Sequence, residues 1–266
     1  MNTLLDGEPG VFLSPDDRGF LFGETVFETV AFRNRAAPLW DLHMERLARS
    51  AAWLQVEAPA PDVWWQDCLR ILPGQGPFVV RLTLSAGSGG SGYWPSSEPR
   101  PRRVVSRRDW PAGVEDQRRS GLRLRRSSFA LSADGFGQGH KHGNRLLQVN
   151  AARECARSGH DEAVLLDAQD CMAETISSNL LIVRRDRVLV HPAPAVIGVG
   201  QTWLRSRARI AVIEEAVPYT SLAECSELLV INSVAGIRPV VAIDHYRFSI
   251  GPMCRYLQSL WDSQLI

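Results

Sequence analysis

Gly135-Phe136-Gly137-Gln138-Gly139-His140-Lys141-His142-Gly143-Asn144-Arg145-Leu146 is the stretch from which the rest of the chain is best read. A glycine-rich approach leads into the only lysine among 266 residues, and a helix-forming segment follows. Of the 30 Lys and Arg residues, the other 29 are arginine. A chain that uses Arg for every other cation has no electrostatic need of Lys. What Lys alone offers is a primary amine that loses its proton, attacks a carbonyl and forms an imine. Composition by itself leaves an ordinary surface lysine equally open, so the setting of Lys141 has to decide.

Outward from that stretch, the pattern predicts a helix over 144–158, ended by Gly159. Short strands follow at 163–166, 179–184, 188–190, 228–231 and 240–243, interrupted by a helix over 201–213 and closed by one from Met253. On the N-terminal side, Thr25 to Phe32 is β-branched and aromatic. It turns at Arg33-Asn34-Arg35 into a second strand ending near Trp40. Asp41 is the expected N-cap of a helix with Leu42, Leu47, Ala51 and Leu54 on one side. A second helix is predicted over 61–72, then an alternating strand over 78–85 and a Gly, Ser and Pro-rich loop over 87–101. Two further strands lie around 104–105 and 122–125. The fold class is therefore α/β (α+β): an N-terminal α/β domain over 1–115 and a C-terminal β-barrel-like domain over 116–266 that carries the lysine.

Composition excludes several classes. Apolar content of 45% with 22% charged residues and a net charge of +1 is that of a globular enzyme. Asp6 and Glu8 stand where a signal peptide would be basic, and no apolar run reaches bilayer length. The five cysteines never fall as C-x-x-C, which argues against a disulfide framework or a zinc site and for a cytoplasmic location. Residues 100–126 hold ten Arg against Asp109, Glu115 and Asp116, but without interleaved aromatics. Arg alternating with Leu, as in 122–125, is the solvated face of a strand, so no nucleic-acid partner is expected. Gly87-Ser-Gly89-Gly-Ser-Gly92 satisfies a dinucleotide fingerprint, yet Pro95, Pro99 and Pro101 follow where a helix must begin.

Three segments point the same way together. The first is Asp17-Arg18-Gly19 with Gly23, Phe27-Glu28-Thr29 and His43-x-x-Arg46-Leu47. The second is Lys141-His142-Gly143-Asn144-Arg145-Leu146 with Glu174-Thr-x-x-Ser178-Asn179. The third is Gly200-Gln201-Thr202 with Asn232-Ser233-x-x-Gly236. In order and spacing these resemble the class IV aminotransferases, the fold-type IV pyridoxal-phosphate enzymes, over nearly the whole chain. Within the family the pattern is most similar to that of the aminodeoxychorismate lyases.

The resemblance implies pyridoxal 5'-phosphate as cofactor, a homodimer, and a small-molecule substrate held between two domains. It implies that Lys141 is catalytic and carries the cofactor, and that Glu174 faces the pyridine nitrogen. Arg46 is implied as the phosphate-binding guanidinium, with Gln201 and Thr202 as helix-start N–H groups and Ser233 as a donor from a second loop. Asn179 is implied to shape the loop beside Glu174, and the histidines at 43, 140 and 142 to pack or cap. The implied reaction is elimination of pyruvate from 4-amino-4-deoxychorismate to give 4-aminobenzoate for folate. The rivals are a transaminase of the same fold acting on an amino acid or amine, a divergent lyase of a related aromatic-amine pathway, and a non-catalytic relative that binds an anionic metabolite or a partner protein. The chain departs from the pattern where Ala31, Ala86 and Ser91 stand in place of family arginines. In so Arg-rich a chain these losses bear on the substrate. Arg107, Arg108 and Arg145 are the candidates to replace them.

Overall fold

The computed structural model describes residues 2–10, 12–132 and 135–264. Contacts divide the chain into two compact units, Met1–Trp110 with His140–Asn144 and Pro111–Gly139 with Arg145–Ile266. The lysine segment joins the first unit because it is bonded along one of that unit's strands, as described below.

The first unit holds β1 (Thr3–Leu5), β2 (Glu8–Pro9), α1 (Arg18–Phe22), β3 (Thr25–Arg33), α2 (Trp40–Trp53), α3 (Pro61–Ile71), β4 (Pro77–Ser85) and β5 (Arg102–Asp109). Its five strands pair antiparallel in the order β2-β1-β5-β4-β3. The period-2 alternation of β3 sends Val26, Val30 and Phe32 to one face, where they join Leu82, Leu84, Leu47, Trp64 and Ile71 in a single apolar cluster. The other face carries Thr25, Phe27, Thr29 and Ala31, and in register beside them Ser85, Thr83, Arg81 and Val79. Pro61 opens α3 at a position where its missing N–H costs nothing. Trp64, fully buried, anchors that helix, and a core indole of this kind contributes about 3–5 kcal/mol.

Two local expectations fail here. The strand expected up to Trp40 is a single bridge between Arg33 and Ala36, because Trp40 already starts α2. Leu39 rather than Asp41 is the N-cap. Asp41 lies in the first turn, where a carboxylate complements the helix dipole.

The second unit holds α4 (Val114–Ser120), β6 (Leu122–Arg126), α5 (Leu146–Ser158), β7 (Glu162–Leu166), β8 (Met172–Thr175), β9 (Asn179–Arg184), β10 (Arg187–Val190), α6 (Val199–Arg207), β11 (Val212–Glu214), β12 (Glu227–Asn232), β13 (Gly236–Ile243), β14 (Tyr246–Arg247) and α7 (Pro252–Ser263). The path β9-β12-β13-β6-β7-β8 returns to β9, so six strands close on themselves; β10 and β11 extend from β9, and β14 from β13. Leu122, Leu124, Val164, Met172, Leu180, Val230 and Val240 fill the interior. The expected barrel-like domain is present.

The helix predicted over 201–213 starts two residues earlier and ends at Arg207. Ala208 is extended, which lets 212–214 run parallel to β10 as a strand and Ile213 pack on the barrel core. The strand β8 is missing from the sequence reading because all four of its residues are buried and it shows no alternation. Much of the basic stretch is paired: Arg102 with Asp6, Arg103 with Asp67, Arg118 with Asp262 and Arg126 with Asp170.

Candidate active site

In the first unit, residues 141–143 lie along the free edge of β3. Phe27 N donates to Lys141 O at 2.9 Å and Gly143 N to Thr25 O at 2.8 Å, with an antiparallel bridge from Val26 to His142. Close approach requires glycine: a Cβ on Gly143 would stand 2.1 Å from Thr25 Oγ1. Gly23 is needed twice over. Its φ is +70°, and a Cβ there would stand 2.1 Å from Asn144 Oδ1. The lysine is thus fixed by backbone bonds and by two glycines whose bare Cα atoms permit the close approach.

Lys141 Nζ lies 4.5 Å from the centre of the Phe27 ring, and Arg81 Cζ lies 3.7 Å from the same ring. Both cations therefore share the polar face of the sheet. The sequence reading missed Arg81. The signal was its place in an alternating strand, at the one position of β4 that puts a cation opposite Thr29 and diagonal to Ala31. Arg108 is on this same face, opposite Val79, whereas Arg107 is opposite the core residue Val80.

Arg46 is buried on α2 and grips Glu28 with two parallel bonds, Nε to Oε1 at 2.7 Å and Nη2 to Oε2 at 2.6 Å. His43 Nδ1 meets the same Oε2 at 2.6 Å. Burial works to raise the Glu28 pKa, but the charge and hydrogen bonds of Arg46, with those of His43, overcome it and hold Glu28 at about 2. Burial pushes His43 down, so it is a neutral ring, and an acceptor-only carboxylate fixes its proton on Nδ1. Glu28, the middle residue of the Phe27-Glu28-Thr29 motif, thereby fixes the Arg46 guanidinium and the His43 ring. His140 stacks on Trp53 with centroids 4.8 Å apart and approaches Ser50 Oγ at 3.3 Å, a packing role as expected.

Arg18 and Asp17 organise the neighbouring loop. The Arg18 guanidinium donates to the carbonyls of Gly92, Tyr93 and Trp94 at 3.1–3.2 Å and pairs with Glu24. Asp17 accepts Gly19 N and the Ser85 hydroxyl. Ser91, at the family arginine position, is exposed and closes a turn with Trp94 through paired backbone bonds.

In the second unit, Glu174 and Asn179 are buried and face one another across the β8–β9 pairing. Together they hold one residue: Val196 N donates to Glu174 Oε2 at 3.1 Å, and Asn179 Nδ2 donates to Val196 O at 2.9 Å. Asn179 Oδ1 also fills the place of a side chain at Gly198, where a Cβ would stand 1.7 Å away. Gly198 is the N-cap of α6, so Asn179 shapes the loop and the helix start at once.

Because α6 begins at Val199, its open first-turn N–H groups include those of Gly200 and Gln201. Thr202 N instead donates to Gly198 O at 2.9 Å, and its hydroxyl donates there too. Gln201 N thus falls in the first turn of α6, whereas Thr202 N is bonded inside the helix. Ser233 sits in the turn between β12 and β13, and α6 packs against β12. Among the described residues no group of three His, Cys, Asp or Glu side chains could hold a metal ion, and no helix is long and apolar enough to cross a membrane.

The class IV amino-transferase family model matches residues 25–243. The chain is 31% identical to the crystal structure of 4-amino-4-deoxychorismate lyase from Pseudomonas aeruginosa, with a TM-score of 0.92 over 99% of each chain. It is 28% identical to an aminodeoxychorismate lyase of Vibrio harveyi over 96% of this chain and 97% of that one. It is also 27% identical to a putative branched-chain-amino-acid aminotransferase of Methanocaldococcus jannaschii over 92% and 87%. With this match and this order of site residues, the chain belongs to the class IV aminotransferase family.

Proposed function

We propose that this enzyme is an aminodeoxychorismate lyase that uses pyridoxal 5'-phosphate to release pyruvate from 4-amino-4-deoxychorismate and leave 4-aminobenzoate. The observation that carries the reading is Lys141, the single primary amine on any side chain, fixed along the edge of β3 by two backbone bonds. Similarity over the full length to lyases at 28% and 31% identity supports the reaction.

The residues fit the cofactor. Lys141 offers the amine, Glu174 a buried carboxylate, and Gln201 with Ser233 an anion cradle of N–H and hydroxyl groups. Arg46 offers a guanidinium whose orientation Glu28 has already fixed. Pyridoxal phosphate, when bound, supplies a ring that accepts the electron pair of a carbanion. Glu174 would be the carboxylate that favours a protonated ring nitrogen when the cofactor is bound, and Asn179 holds the loop against which Glu174 rests. Lys141 Nζ takes the proton from the amine-bearing ring carbon. The bond from the neighbouring carbon to the enolpyruvyl oxygen then breaks with its electron pair on that oxygen, the ring becomes aromatic, and the departing enolate takes up one proton at its methylene carbon to give pyruvate.

The substrate carries two carboxylates, and Arg81, the cation stacked with Lys141 on the Phe27 ring, can meet one of them where Ala31 cannot. The working form is a homodimer, supported by the exposed Phe12, Phe20, Leu21, Tyr93 and Trp94 of the first unit. A cytoplasmic location is supported by five free cysteines.

The second reading, a transaminase, is favoured by Ala86 where the lyase pattern has arginine and by the aminotransferase relative. Purified protein with aminodeoxychorismate and no keto acid separates the two. One pyruvate per 4-aminobenzoate is expected. No pyruvate, with amino transfer once a keto acid is added, would sink the lyase reading.

A further inference from the structure

Arg238 on β13 is buried, and no carboxylate oxygen lies within 4.0 Å of it among the described residues. Burial lowers its hold on the proton and the more distant Glu162 and Asp161 raise it, so the guanidinium remains a cation. Its partners are neutral: Nη1 donates to Gln117 Oε1 at 2.9 Å and Nη2 to Ser178 Oγ at 3.0 Å, while Nε is buried without an acceptor. A buried charge so poorly compensated is an expensive way to fill space, since an apolar side chain of that volume would serve stability as well or better.

Its contacts show what the position does. Ser178 closes the turn that follows Glu174: Thr175 N donates to Ser178 O, and Thr175 Oγ1 and Ser177 N both donate to the buried Glu162 carboxylate. The Ser178 hydroxyl oxygen also receives Asn232 Nδ2 at 3.1 Å. The other end of the Asn232 amide accepts Ala235 N at 2.7 Å and Val234 N at 3.1 Å, which fixes the turn containing Ser233. One hydroxyl therefore joins the Glu174 turn to the Ser233 turn, and Arg238 orients that hydroxyl.

We infer that Arg238 is a positioning residue that, through Ser178 and Asn232, sets the shape of the 233–235 turn for an anionic phosphate ester. The inference rests on the proposed cofactor reading. It differs from that reading in assigning the work to a residue that touches neither cofactor nor substrate.

Equilibrium titration of cofactor-free protein with pyridoxal 5'-phosphate and, separately, with unphosphorylated pyridoxal tests it, alongside thermal unfolding. Arg238→Met and Ser178→Ala are each expected to weaken pyridoxal 5'-phosphate binding about tenfold while leaving pyridoxal unchanged. The thermal midpoint of Arg238→Met is expected to stay level or rise. Equal weakening of both ligands, or of neither, would overturn the inference. If Arg238→Met does not fold, Ser178→Ala carries the test alone with the same two outcomes. Wild-type protein that binds no pyridoxal 5'-phosphate would overturn the cofactor reading and this inference with it.

Discussion

Arg46 in the first unit and Arg238 in the second are both buried, at 6% and 7% exposure, yet they are held in opposite ways. Arg46 meets a carboxylate through two parallel charge-assisted bonds, and a neutral histidine steadies that carboxylate from the side. Arg238 meets a hydroxyl and an amide. In the first case the charge is compensated on the spot, so the pair is part of what holds β3 to α2. In the second no carboxylate touches the guanidinium and only the more distant Glu162 and Asp161 offset its charge, so it contributes little to stability and acts on the geometry of its partners. Burial alone does not tell what a charged residue is for; the identity of its partner does.

The largest break in this comparison should come from stranding a charge. Glu28→Ala leaves the Arg46 guanidinium buried without its carboxylate and is expected to cost about 3–5 kcal/mol in denaturant unfolding. Arg238→Met should cost nothing of that order. Equal losses in the two variants would show that the distinction between paired and unpaired arginine is false.

Acid is the next lever. The folded pKa of Glu28, about 2, lies below its ordinary 4.5, so its contribution is fully present above 4.5 and is lost as pH falls toward 2. A depression of this size corresponds to about 3 kcal/mol. His43 acts in the same direction, because its lowered pKa makes the unfolded chain the better proton acceptor below the usual 6.5. Unfolding free energies from pH 7 to pH 2 should therefore fall more steeply in wild type than in Glu28→Gln. Parallel curves would count against the assignment.

Substrate binding should respond to Arg81. Arg81→Gln removes a cation from the Lys141 face and is expected to raise KM for aminodeoxychorismate about tenfold to a hundredfold, with a smaller change in kcat. An unchanged KM would return the carboxylate to another residue. The smallest effect belongs to Thr202. Thr202 is exposed, and its hydroxyl and N–H both close on Gly198 O in the first turns of α6, so Thr202→Ala should change stability by no more than about 0.5 kcal/mol and leave pyridoxal 5'-phosphate affinity intact. A tenfold loss of affinity would restore Thr202 to the phosphate site.

Much of this was legible in the chain itself. The strand β3 and the lone lysine beside Gly143 and Asn144 could be read directly, because a β-branched and aromatic run and a required primary amine both leave marks in the residues themselves. The end of α6 could not, since Ala208 turns outward to pair a strand with β10, a contact set by the tertiary fold rather than by helix propensity. The partner of Glu28 was equally hidden. Nothing local to Phe27-Glu28-Thr29 says that its middle residue points into the core toward α2 rather than to solvent, against its own polarity. Arg238 looked like one arginine among 29, and only its neutral partners set it apart.

The central claim, that Lys141 is where the cofactor is carried, is tested most directly by the visible absorbance of the protein loaded with one equivalent of pyridoxal 5'-phosphate. Wild type should show a visible band that free cofactor lacks, and Lys141→Ala should lose that band while keeping its thermal midpoint within a few degrees. A band that survives the substitution, or a wild-type protein that never develops one, would contradict the account.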